Sequence, residues 1–263
     1  MRRYRKPHKI RRKTSVLKNR YFWLSLLTLV IFGASSYFLF FSEFFQIKEI
    51  DVSGNQKITS EDIQNEIFSL VSKKIINFPS KSIFLANFRS MSSEVLKKFP
   101  QLATITFKRD FPNRITVEAE ERRPVAVFCP DLNCYSIDKE GIAFEKVEVI
   151  FSEFPRIIFI DGKNIFPLGE EVIDKNALNF ILNVRNGLND KLKITVEEFS
   201  LPSQQRLNVK TNEGWEIYFN LSGDLNWQLE KLGLILEKEI PPQKRKDLAY
   251  IDLRFTRVYF KYR

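Results

Sequence analysis

The most constraining feature of this chain is the run from Tyr21 to Phe41, YFWLSLLTLVIFGASSYFLFF, in which tyrosine is the only ionisable side chain. As an α-helix it spans about 31 Å, the thickness of a bilayer's hydrocarbon core. Residues 1–20 before it carry Arg2, Arg3, Arg5, Lys6, Lys9, Arg11, Arg12, Lys13, Lys18 and Arg20 and no acid, and Glu43 is the first acid after it. The positive-inside bias predicts one transmembrane helix over 21–41, a basic cytoplasmic tail over 1–20, and residues 42–263 on the far side. Ala34 and Ser36 have the spacing of a peptidase site, but apolar residues continue through Phe44 and Phe45, which favours a retained anchor over a cleaved leader.

Charge follows the same division. The 263 residues hold 42 Lys/Arg against 32 Asp/Glu, a net charge of +10, and the tail alone supplies that excess. The remainder is balanced, so nucleic-acid binding by the body of the chain is not supported, and the tail reads as a topology determinant attracted to anionic membrane lipid. With 44% apolar and 14% aromatic residues, the far side has the material for a packed core.

Periodicity organises that part. Ile47, Ile50 and Val52 interleave with charges as in a half-buried strand, and Ser53-Gly54-Asn55 supplies a turn. Thr59 with Asp62 resembles a capping box, opening a helix with Ile63, Ile67, Leu70 and Val71 on one face. After an irregular stretch over 73–90, a second short helix from about Ser92 turns Val95, Leu96 and Phe99 inward and stops at Pro100. Two alternating strands follow, with Ala103, Ile105 and Phe107 on the first and Ile115, Val117 and Ala119 on the second, across a turn at Asp110 to Asn113. The order β-α-α-β-β predicts a small α+β domain over 42–122, with three strands and two helices on one face.

IKEIDVSGNQKIT and KKFPQLATITFKRDFPNRITVEAEERRPVA together resemble the POTRA domain of the bacterial cell-division family FtsQ/DivIB, and CYSIDKEGIAF, GWEIYFN and LAYIDLRF resemble later strands of the same family, in order. The resemblance implies a non-enzymatic bitopic scaffold in the cytoplasmic (inner) membrane. It would be enriched at the division septum, recruiting septal cell-wall synthesis proteins.

Residues 123–263 read independently as a mixed β domain. Strands are expected at Val125 to Cys129, Tyr135 to Ile137, Ile142 to Phe144, Ile157 to Ile160, Ile194 to Phe199, Leu207 to Thr211, Trp215 to Phe219, Tyr250 to Phe255 and Val258 to Tyr262. Two helices interrupt them. One runs near Lys175 to Leu188, with Leu178, Ile181 and Leu182 inward; the other spans about Asp224 to Glu239, with a stripe of Leu225, Leu229, Leu232 and Leu236. Arg122-Arg123-Pro124 marks the domain boundary and a hinge candidate.

Catalytic constellations are sparse. The single histidine, His8, lies in the tail, so no triad or His-bearing metal site can form beyond the membrane, and no phosphate-binding loop occurs. Adjacent acids such as Glu120-Glu121 point to opposite faces of a strand. The expectation is therefore no catalytic residue, no cofactor and no metal. Cys129 and Cys134 flank a turn-like Pro130-Asp131-Leu132-Asn133, and are either a disulfide across a hairpin or two buried thiols.

The final segment is the candidate binding element. Ile251, Leu253 and Phe255, then Val258, Phe260 and Tyr262, alternate with polar residues, and an edge strand there offers backbone groups to a partner strand. The family resemblance implies docking of an FtsB-like chain, together with FtsL, at Arg254, Phe255, Arg257, Val258, Tyr259 and Phe260, and contacts of other division proteins with the POTRA domain. Ile251 and Leu253 read as core. An alternative, a POTRA-containing envelope export or assembly factor, predicts repeated POTRA units or a long barrel pattern, which the sequence does not display.

Overall fold

A computed structural model describes residues 19–75, 78–130, 133–147, 154–159, 167–203 and 205–263. The basic tail through Lys18, Asp131 and Leu132 of the expected turn, and Ile160 lie outside the described residues. Two compact units result. One comprises residues through Val52, Glu61–Phe88 and Phe107–Val117; the other comprises Ser53–Ser60, Arg89–Thr106 and Glu118–Arg263.

Helix α1 (Arg20–Phe41) starts at Asn19, whose side chain accepts from the Tyr21 N–H. None of its residues is buried, as befits a helix whose environment is lipid. The final carbonyls of a helix have no partner in the helix itself, and here each of three finds one. Phe38 O accepts from the Ser42 N–H at 3.1 Å, Leu39 O from the Ser82 hydroxyl at 3.0 Å, and Phe40 O from the Ser80 hydroxyl at 2.7 Å and the Gln46 amide at 3.3 Å.

A 3₁₀ turn at Glu43–Phe45 leads into β1 (Glu49–Ser53), α2 (Ser60–Val71), β2 (Lys73–Ile75), β3 (Phe78–Ser80), α3 (Phe88–Lys98), β4 (Leu102–Asp110) and β5 (Arg114–Glu121). The sheet order is β1-β5-β4. This is the expected β-α-α-β-β order, with a β2-β3 pair inserted where the sequence is irregular. Helix α2 buries Ile63, Ile67 and Val71 at a spacing of one turn, and β5 buries Ile115, Val117 and Ala119 on alternate positions. Helix α3 begins at Phe88 rather than Ser92, and Met91 joins Val95 in its buried face.

The second unit carries a nine-stranded sheet. Its strands are β6 (Ala126–Cys129), β7 (Cys134–Ile137), β8 (Ala143–Val147), β9 (Arg156–Phe159), β10 (Val196–Ser203), β11 (Arg206–Thr211), β12 (Glu216–Asn220), β13 (Leu248–Asp252) and β14 (Tyr259–Tyr262), in the order β14-β13-β12-β11-β10-β9-β6-β7-β8. Strands β9 and β10, and β12 and β13, are parallel. A parallel pair cannot be closed by a hairpin, and the crossovers contain α4 (Lys175–Leu192) and α5 (Leu225–Lys238). Asp174 and Asp224 set the two helix starts, accepting from the N–H groups of Asn176 and Ala177 and of Trp227. Leu178, Ile181, Val184 and Leu188 of α4 and Leu229, Leu232 and Leu236 of α5 share one core cluster with Phe199, Leu207, Ile217, Phe219 and Ile251 from the sheet. The helices approach closely because Gly187 has no side chain; a Cβ there would lie 2.4 Å from a Leu229 methyl.

In the hinge candidate, the Arg122 side chain is 11% exposed, pairs with Asp138 and donates from Nε to Pro100 O at 3.1 Å. One expectation is corrected: the last two strands are shorter than their alternation suggested. Strand β13 ends at Asp252, so Arg254, Phe255, Arg257 and Val258 occupy the connection before β14, and only Tyr259 and Phe260 of the predicted site lie in a strand.

Candidate functional site

Strand β14 ends the nine-stranded sheet, and β13 is its only strand neighbour among the described residues. The two run antiparallel, with Ile251 opposite Phe260 and Asp252 opposite Tyr259. Phe260 and Tyr262 turn toward the core and pack against it, while Tyr259, on the opposite face, is 55% exposed.

The connection from 253 to 258 is fixed from beneath. Asp252 is buried, accepts from the Arg254 N–H at 3.1 Å, and holds the Arg254 guanidinium through two bonds of 2.9 and 2.7 Å. Lys231, buried on α5, donates its ammonium to Leu253 O at 2.9 Å and Phe255 O at 2.7 Å. Leu253 is thereby drawn inward, its N–H donating to Tyr218 O at 2.9 Å. Phe255 is turned out, 53% exposed, its ring edge-on to Tyr259 at 5.9 Å. Two fixed carbonyls flanking Arg254 thus decide which side chains face the core and which face water.

A polar aromatic platform adjoins this turn. Tyr218 stacks on Tyr250 at 5.1 Å, with the Arg206 guanidinium 4.1 Å and the Arg254 guanidinium 5.9 Å from the Tyr218 ring. Burial and a hydrogen bond with Glu216 push the Tyr218 phenol up to about 12. For Asp252, burial opposes ionisation, but the side-chain and backbone hydrogen bonds from Arg254 outweigh it and keep the carboxyl below the usual range. The Asp252 hydrogen bond raises Arg254 in return. Burial lowers the Lys231 ammonium, opposed by the charge of Asp252.

Of the six residues expected to bind a partner, Phe255, Arg257 and Tyr259 are exposed, Val258 and Phe260 pack partly into the core, and Arg254 is committed to Asp252. Ile251 and Leu253 are buried. Sequence reasoning missed Lys231, Asp252, Tyr218 and Tyr250. A trace of the first existed, since Gln228 and Lys231 stand three apart on the flank of the α5 leucine stripe, and both are buried. Gln228 uses its amide oxygen to accept from Asn220 N and its amide nitrogen to donate to Asn220 O. Cys129 and Cys134 are joined by a disulfide with their Cα atoms 4.2 Å apart, next to Val127 and away from the main core. Among the described residues no group of three or more His, Cys, Asp or Glu side chains is placed to hold a metal ion. What this region presents is the end strand of the sheet and two exposed aromatic rings, Phe255 and Tyr259.

Residues 45–122 match the family model for the FtsQ-type POTRA domain, and residues 129–254 match that for the C-terminal region of cell division protein FtsQ/DivIB. The chain belongs to the FtsQ/DivIB family. A DivIB cell division protein from Clostridium tetani is 25% identical over 196 residues, covering 66% of this chain and 70% of its own length. An FtsQ from Syntrophotalea carbinolica is 24% identical over 229 residues, covering 84% and 73%. With α1 as the one candidate membrane span among the described residues, this member of the FtsQ/DivIB family is a single-pass membrane protein. The match to the C-terminal family model stops at Arg254, so Phe255 and the whole of β14 lie past it.

Proposed function

We propose that this chain is a non-enzymatic scaffold of the division machinery. Its N-terminus is cytoplasmic, its C-terminus is extracytoplasmic, and it accepts a strand from a membrane-anchored partner of the FtsB/FtsL type along β14. The carrying observation is an end strand that no described segment covers, beside a turn already held in shape. A partner backbone adds to β14 by main-chain hydrogen bonds, and Phe255 and Tyr259 supply the aromatic contact area. Lys231 and the Asp252–Arg254 pair spare the complex the entropy of ordering that turn. The POTRA domain, residues 42–122, and the β domain, residues 123–263, act as two modules, the first recruiting other division proteins. Confinement of both partners to one membrane raises their effective concentration, so modest contacts suffice at the septum. The disulfide supports an oxidising compartment for the β domain.

Photo-crosslinking from Phe255 and Tyr259 in dividing cells tests this reading. Adducts with a membrane-anchored division protein are expected, and adducts confined to export or assembly factors would replace the scaffold with an envelope-assembly role. A reporter active only outside the cytoplasm should work when fused after Arg263 and fail when fused at Met1; the reverse would invert the topology.

A further inference from the structure

Helix α1 does not end in a linker. The hydroxyls of Ser80 and Ser82, both buried, and the Gln46 amide occupy the carbonyls of its last turn. Gln46 also accepts from the Lys81 N–H at 2.6 Å, and Ile47 N and Ile83 N donate to Lys81 O and Phe45 O, each at 3.0 Å. The segment 80–85 is therefore bonded directly to the membrane end of the helix. A relay of aromatic rings continues outward from the helix itself. Phe38 meets Phe45 at 5.7 Å, Phe45 meets Phe44 at 5.0 Å and Phe84 at 5.1 Å, and Phe84 meets Phe111, in the β4–β5 turn, at 5.4 Å.

These rings are not a core. Phe44 is 57%, Phe84 39%, Leu85 40% and Phe111 59% exposed. Three exposed rings joined through Phe45, with the exposed Leu85 next to Phe84 in the chain, are costly in water, and the relay begins on a helix whose own exposed residues lie in hydrocarbon. Aromatic rings are the side chains that favour the boundary between headgroups and acyl chains.

We propose that Phe44, Phe84, Leu85 and Phe111 form a lipid-facing seat that enters the outer boundary of the bilayer and holds the POTRA domain against the membrane. The occupant is the lipid surface, because the patch is continuous with the membrane-spanning helix and bonded to its end. The proposal rests on α1 spanning the membrane.

The test uses the full chain in nanodiscs of phosphatidylcholine and phosphatidylglycerol, with its own cysteines kept in their disulfide. Nitroxide labels are placed singly through Leu85→Cys, Phe111→Cys, Val30→Cys within α1, and Lys97→Cys on the exposed surface of α3. Power saturation compares collisions with oxygen, which concentrates in lipid, and with a water-soluble nickel chelate. Oxygen is expected to dominate at 30, 85 and 111, and the chelate at 97. Chelate dominance at both 85 and 111 with oxygen dominance at 30 overturns the seat alone. Chelate dominance at 30 as well overturns the membrane-spanning reading beneath it. Protection of 85 and 111 from both reagents assigns the patch to a protein contact, a second copy or a partner, and overturns the lipid assignment.

Discussion

The two ends of the nine-stranded sheet are finished in different ways. At the β8 end the chain folds back over its own edge: Ala143 N donates to Glu170 O at 3.0 Å, Gly169 N to Ala143 O at 2.7 Å and Val172 N to Gly141 O at 2.9 Å, and Ile142 bridges Glu171. At the β14 end no described segment covers the strand. An uncovered edge invites unwanted pairing, and β14 carries the usual guards, a length of four residues, an exposed Lys261 and a register shift opposite it between Leu248 and Tyr250. One edge is paired by the fold where β8 begins, and the other is kept short and shaped. Among the described residues, backbone covers an edge of this sheet at the end away from the pinned turn.

Substitutions at the two ends should therefore separate folding from association. Phe255→Asp is expected to weaken partner binding by about 100-fold, the scale of an interface hot spot, while leaving the Tm nearly unchanged. Titration calorimetry beside a thermal melt measures both, and a parallel fall in Tm would return Phe255 to the core. Gly141→Ala at the covered edge should do the opposite. Gly141 has φ +78° and a Cβ would lie 2.0 Å from Ile173 O, so denaturant unfolding should show a loss of about 2–3 kcal/mol with partner affinity unchanged. Reducing the Cys129–Cys134 disulfide, also toward that end, should cost about 2 kcal/mol by releasing a short loop in the unfolded chain, again without effect on binding.

Lys231→Met sharpens the contrast at the other end. Two carbonyls lose their donor, so amides over 253–257 should exchange faster and affinity should fall roughly tenfold. The smallest effect is expected from pH. The folded-state pKa of Asp252 lies below that of an ordinary aspartate, so its stabilising contribution is complete above the ordinary value and disappears as pH falls through the lower folded one. Acid titration of stability in Asp252→Asn should lack this component. Arg254→Glu is a poor probe of the interface, because it would set a second carboxylate against the buried Asp252 and lower stability along with binding.

Where local pattern decides structure, the sequence was readable. The apolar run marks α1 to within a residue, and Asp224 and Glu239 sit as the caps of α5 where the leucine stripe begins and ends. The strands of the sheet fall within a few residues of their expected segments, most clearly β10, β11 and β12, which bury alternate side chains in the core they share with α4 and α5. Legibility failed where distant residues intervene. Alternation continues past Asp252, yet the strand stops there because Asp252 captures Arg254 while Lys231, 22 and 24 residues away, takes the carbonyls of Leu253 and Phe255. The partners of Arg122 were equally hidden, since Pro100 and Asp138 hold its guanidinium from elsewhere in the chain. The β2-β3 pair has three-residue strands, too short to show a period. The end strand of the sheet was legible as alternation, but the buried groups that shape the turn before it carry no local signature.

The serine clasp on the last turn of α1 has a mechanical consequence. A helix gripped through its terminal carbonyls cannot spin beneath its cargo, since rotation by a single residue, about 100°, would pull Leu39 and Phe40 away from Ser82 and Ser80. Torque applied to the stem within the bilayer is thus delivered to the grip, and the azimuth of everything bonded to it is decided by which flank of the stem its neighbours choose.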